Sequence, residues 1–190
     1  MTYLIQQTLL YAIPLMIVAL AGVFAERSGI INLALEGIMI IGAFMGVLFV
    51  YKLQDVPAVM ALYEAKDYFS LQMIEIGAMA FAALFGALFS LLLSFASINL
   101  KADQTIGGTA LNMLAPALVL FFVRIMANQN ELLLKEGDAA SWFMIKKTML
   151  GFDKKAQLSF FGETFLNKVY LTTYVCIIIF VVLSVILYKT

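Results

Sequence analysis

An all-α, polytopic transmembrane helix bundle of about five spans is the fold class that the sequence predicts, and three observations predict it. Hydrophobic residues make up 64% of the 190-residue chain and charged residues 13%, about half the charged share of an ordinary soluble domain. The apolar residues fall in long blocks, not in the short alternating runs of a water-soluble core. Connections bearing Gly, Pro and charged residues separate those blocks, two of them very short, at residues 26–29 and 99–103.

A span needs about 20 mostly apolar residues, and five blocks meet that length or approach it. The first runs from near Thr8 to Phe24 with Pro14 inside it. It has no basic start and passes directly into more apolar sequence, so it reads as a retained span and not as a cleaved signal. The second runs from near Ile30 to Val50 and the third from about Met73 to Ile98. The fourth covers about Thr105 to Ala127 around Pro116, and the last about Val169 to Tyr188. Pro14 and Pro116 are tolerable where neighbouring groups satisfy the freed carbonyls, and they mark places to expect kinks. Asp55-Val56-Pro57 is a turn signal. Residues 128–167 form the one substantial extramembrane loop of an otherwise single domain, with charges interrupted by Trp142, Phe143, Phe152, Phe160 and Phe161. Aromatics in such a loop suit the membrane interface.

Composition also excludes functions. The formal net charge is zero, which leaves no nucleic-acid footprint. The chain has no histidine and one cysteine, Cys176, so an intrachain disulfide is impossible and the usual metal ligand is missing. Neither a nucleophile elbow, nor a Walker A loop, nor a metal-binding His-Glu motif occurs. The sequence therefore predicts neither an enzyme nor a cofactor.

Polar groups inside apolar blocks are the candidates for function, because their presence at membrane depth is costly without a cavity, partner or cargo. Asn32 and Glu36 are four residues apart, a spacing that a helix would place on one face. Asp103-Gln104-Thr105-Ile106-Gly107-Gly108-Thr109-Ala110-Leu111-Asn112 opens the fourth block. Thr105, Thr109 and Asn112 would share one side of a helix, free to hydrogen-bond a hydroxyl-rich cargo or the next helix. Gly107-Gly108 permits a local break, and Asp103 suits an N-cap. Glu26 with Arg27, and Lys101 with Asp103, read as local ion pairs at the membrane boundary. Ala78, Ala82, Gly86, Ser90 and Ser94 recur every four residues, and Gly42 and Gly46 repeat the pattern on the second block. Such small-residue stripes allow close helix packing.

Residues 25–44, Ala-Glu-Arg-Ser-Gly-Ile-Ile-Asn-Leu-Ala-Leu-Glu-Gly-Ile-Met-Ile-Ile-Gly-Ala-Phe, and residues 100–117, Leu-Lys-Ala-Asp-Gln-Thr-Ile-Gly-Gly-Thr-Ala-Leu-Asn-Met-Leu-Ala-Pro-Ala, carry a resemblance. Each resembles a signature block of the permease subunits of bacterial ABC importers for nucleosides and simple sugars, relatives of the ribose and branched-chain amino acid permeases. The order and separation of the blocks match, and with the hydropathy pattern the likeness covers nearly the whole chain. It implies an importer subunit of the bacterial cytoplasmic membrane that pairs with a second permease, a sister or a copy. ATP-binding subunits would dock on the cytoplasmic side, and an extracytoplasmic binding protein would deliver a nucleoside or simple sugar. By matching positions, Asn32, Glu36, Gln104, Thr109 and Asn112 are the residues expected near the pathway.

Members of that family continue for several spans beyond the point matching Thr190, including the segment that docks on the ATPase. The expectation is therefore an N-terminal part of a permease, incapable of ATP-coupled transport alone. The competing readings are a membrane interaction protein packing with a sister permease, and a secondary transporter with Glu36 as its ion-coupling carboxylate. The resemblance also places the chain end in the cytoplasm and the 128–167 loop outside. The positive-inside rule would favour the opposite, because that loop holds several lysines interleaved with acids.

Overall fold

Gly29 decides where the first two spans part. It adopts φ +82°, a left-handed conformation that a residue without Cβ enters at little cost. The Ile30 N–H then closes back on the Ala25 carbonyl at 3.1 Å and the Gly29 N–H on Glu26 at 3.0 Å. This is a Schellman-type helix stop. The computed structural model describes residues 2–65, 67–127, 131, 143–150, 153 and 159–189.

Helix α1, Thr2–Arg27, runs through Pro14 and ends at that stop. Residues 28–34 are not helical, and α2, Leu35–Leu53, follows. Pro57 occupies the first turn of a short helix, α3, Pro57–Glu64, where its missing N–H costs nothing. Helix α4 spans Tyr68–Ile98 and α5 spans Gln104–Ala127. Beyond them, β1 (Met144–Ile145) pairs antiparallel with β2 (Val169–Tyr170), with a short 3-10 turn at Lys147–Leu150 and α6 at Phe160–Phe165 between. Helix α7, Leu171–Lys189, completes the described chain. Five of these helices, α1, α2, α4, α5 and α7, are long and apolar enough to cross a membrane.

Asp67 shows how a start is fixed. Its Oδ2 accepts from the Ser70 hydroxyl at 2.7 Å and its Oδ1 from the Ser70 N–H at 3.4 Å, capping α4. The Ser70 hydroxyl bond first, and the backbone bonds after it, hold the Asp67 carboxyl below its ordinary value. A depressed carboxylate stabilises the fold above its unfolded-state value and loses that contribution as pH falls through the folded-state value. Asp67→Ala is expected to speed amide exchange at Ser70 and the first turn of α4 while leaving the middle of α4 protected. Unchanged exchange at Ser70 would show the cap to be dispensable.

Helices α2, α4 and α5 form one packed group, and α1 packs with α7. Glycines bring α2 onto α4: a Cβ on Gly42 would sit 3.3 Å from the Ala82 carbonyl oxygen, and one on Gly46 3.3 Å from the Ala82 Cβ. Gly86 faces Ile38 in the same way. Ala78 is buried, Ala82 and Ser90 are half-buried, and the Ser90 hydroxyl donates to its own helix at Ala87; Ser94 is half-buried too. Phe49 and Phe81 seal the contact with ring centroids 5.1 Å apart. Most outward positions of the spans are large and apolar, as a lipid-facing surface requires.

The five-span all-helical bundle agrees with the sequence expectation, but three details do not. The second span starts at Leu35, not near Ile30, so Asn32 lies outside the helix and shares no helical face with Glu36. The permitted break at Gly107-Gly108 does not occur, and α5 runs through both residues. The expected local ion pairs are absent: Arg27 donates to the Leu187 carbonyl at 2.7 Å and Asp103 caps α5. For Arg27 and Asp103 a backbone group that would otherwise go unpaired claims the side chain. Of the aromatics expected at the interface, Trp142 and Phe152 lie outside the described residues.

Candidate functional site

Two apolar helices joined by seven non-helical residues leave backbone groups that must find partners. Side chains of the segment that opens α5 partner three of them. The Gln104 Oε1 accepts from the Ile31 N–H at 2.8 Å. The Asn112 Nδ2 donates to the Leu33 carbonyl at 2.6 Å, and its Oδ1 accepts from the Gly37 N–H at 2.7 Å. Asn112 thus caps the third residue of α2 from a neighbouring helix, where Ala34 at the N-cap has no side chain able to do so. Asn32 adds a local bond by accepting from the Ala34 N–H at 3.0 Å, two residues on. Such contacts need close approach. A Cβ on Gly108 would stand 2.9 Å from the Leu33 Cβ, and one on Gly37 3.0 Å from the Leu111 carbonyl oxygen. The two signature segments are therefore interlocked through Gln104, Gly108, Asn112 and Gly37.

Glu36 and Thr109 stand differently. Glu36 lies exposed in the first turn of α2, where the positive end of the helix dipole favours a carboxylate. Thr109 is exposed, and its hydroxyl donates to the Thr105 and Ile106 carbonyls of its own helix at 2.9 and 3.0 Å. Asp103 Oδ1 accepts from the Thr105 and Ile106 N–H groups at 2.8 and 3.0 Å. Of the five residues singled out from sequence, Asn32, Gln104 and Asn112 converge on one backbone segment. Glu36 and Thr109 border it as exposed residues, the Thr109 hydroxyl bonded back to its own helix.

A second polar cluster escaped the sequence reading. Glu75 is 7% exposed on α4, and its Oε1 accepts from the Thr172 N–H at the start of α7 at 3.4 Å. Gln72 on the same helix donates to the Phe143 carbonyl at 3.1 Å. The signal was available, since a lone carboxylate within an apolar block is the same argument that singled out Glu36. A cavity of about 190 Å³ lies near the other end of α1 from the interlock, between Tyr3, Leu10, Tyr170 and Tyr174. Among the described residues no three His, Cys, Asp or Glu side chains gather as a metal site.

Residues 4–190 match the family described as the branched-chain amino acid transport system permease component. The chain belongs to this permease family. It is 37% identical over 191 residues to the guanosine ABC transporter permease protein NupQ of Bacillus subtilis (strain 168), covering all of this chain and 53% of that protein. It is also 37% identical over 133 residues to the nucleoside ABC transporter permease protein NupC of Lactococcus lactis subsp. cremoris (strain MG1363), 70% of this chain and 38% of that one. No solved structure matches. The permease chain spans about half the length of NupQ. Its family is a transport component and its five apolar helices make it a multi-pass membrane protein.

Proposed function

We propose that this permease chain forms part of the translocation pathway of an ATP-driven importer for nucleosides. The observation that carries the proposal is the likeness along its whole length to a permease named for guanosine transport. ATP hydrolysis would belong to separate cytoplasmic subunits, and a binding protein and second permease would complete the assembly. The 28–34 segment, the α4–α5 turn and the end of α7 would lie on the cytoplasmic side.

Within this proposal the five polar residues divide their work. Asn32, Gln104 and Asn112 shape the broken entry to α2, because their polar atoms bond backbone. Glu36 and Thr109 present outward groups to a passing ribose or base. Uptake of labelled guanosine by cells carrying the gene should exceed that of a deletion strain and vanish when ATP is depleted. Equal uptake of guanosine, adenosine and cytidine with and without the gene would end the nucleoside reading. Glu36→Gln and Thr109→Val should insert and fold as the parent does, yet lower uptake about tenfold, the effect of losing one hydrogen bond of about 1.4 kcal/mol to the cargo. Parental uptake by both variants would remove them from the pathway.

A further inference from the structure

A carboxylate buried among apolar helices is costly unless each oxygen finds a donor or the group is neutral. Glu75 is the one acid buried among the described residues. Its Oε1 accepts from the Thr172 N–H, and the Thr172 side chain meets the same carboxyl. Its Oε2 is buried without a donor, and so is the Oε1 of Gln72. Gln72 precedes Glu75 by three residues, which places both side chains on one face of α4. Turning the Gln72 amide round does not resolve this. Its Nε2 already donates to the Phe143 carbonyl, and an oxygen in that place would oppose another oxygen.

Two neighbouring acceptors that lack a donor need one hydrogen between them. We infer that Glu75 is a buried proton-binding site, neutral in the folded chain, whose Oε2–H donates to the Oε1 of Gln72. One proton taken from solvent satisfies both oxygens and leaves the Glu75 Oε1 as acceptor for Thr172. The bound proton thereby joins α4, the strand hairpin through Phe143, and the first turn of α7. Its release sets a carboxylate oxygen against an amide oxygen, and the contact loosens. Ionisable side chains on the elements around this end of α4 are Tyr51 and Lys52 on α2, Tyr63 and Glu64 on α3, Arg124 on α5, Tyr174 and Cys176 on α7, and Lys146 and Lys147 beside β1. The Glu75 carboxyl meets the N–H and side chain of Thr172, and Lys147 is engaged by Glu163 at 3.3 Å. This inference concerns the carboxyl alone and stands whether or not the cargo is a nucleoside.

Infrared spectra and thermal midpoints of the full chain in lipid nanodiscs test it. At neutral pH the parent should show a protonated-carboxyl C=O band that Glu75→Gln lacks. Glu75→Gln supplies an amide N–H in place of the O–H and should melt as the parent does at neutral pH. Glu75→Ala, which leaves Gln72 without a donor, should melt lower at every pH. A missing carboxyl band, or Glu75→Gln melting as low as Glu75→Ala, would overturn the assignment.

Discussion

Asn112→Leu is expected to unlock the two signature segments and to lower the stability of the α2–α5 contact by about 1–3 kcal/mol. That range follows from leaving the N–H of buried Gly37 unpaired, while the exposed Leu33 carbonyl loses its Asn112 partner at smaller cost. Leucine branches as asparagine does but carries bulkier methyl groups in place of the amide oxygen and nitrogen, so it also crowds Gly37, which already faces Asn112 closely. Asn112→Asp separates the two bonds. It retains an acceptor for the Gly37 N–H but sets a second oxygen against the Leu33 carbonyl. The expected order of thermal midpoints in nanodiscs is parent, then the aspartate variant, then leucine. Under the proposed function, nucleoside uptake should fall in the same order. A leucine variant that melts with the parent would show that the Asn112 bonds do not hold the segment.

Gly108→Leu is expected to do comparable damage by a different route. The first atom of any side chain at Gly108 would stand 2.9 Å from the Leu33 Cβ and 3.2 Å from the Leu33 Cα and N. Those atoms cannot retreat freely, because Gln104 holds Ile31 and Asn112 holds the Leu33 carbonyl itself. Overpacking of this kind costs about 1–3 kcal/mol, and the rest of the leucine side chain must displace the segment altogether. Gly108→Ala tests the balance: it gains about 1 kcal/mol of helix propensity and spends it against the same contact. Alanine should therefore sit near the parent in thermal midpoint, and leucine well below it. Equal midpoints for leucine and the parent would mean that the segment is mobile at Leu33. Amide exchange at Ile31 and Gly37 would register that mobility directly.

The spans were legible because length and apolar composition alone decide what can cross a bilayer. Asp103 as a cap was legible for a related reason: it acts on amides two and three residues away, so its partners lie in the same short stretch. Asn32 was misplaced on a helix because its four-residue spacing from Glu36 fits one. What excludes it is Gly29 at positive φ with its two closing bonds, after which the chain needs several residues to restart. Glu26 and Arg27 were paired with each other as neighbours in sequence, whereas the arginine's partner is 160 residues away at Leu187. Glu75 lay in plain view within the third block, but its significance depends on Thr172 and Phe143, which belong to later parts of the chain.

By itself, then, the sequence determined the membrane class, the five apolar helices, and the two signature segments that mark the permease family. These are local quantities, set by composition and by residue order within about 20 positions. Only the tertiary structure decided what the polar residues of those segments do. It joined Gln104 to Ile31 and Asn112 to Leu33 and Gly37. It also left Glu36 and Thr109 exposed and buried Glu75 against α7. The physical reason is that a polar group in an apolar protein takes whichever donor or acceptor the fold brings within about 3 Å, however distant in sequence that partner is.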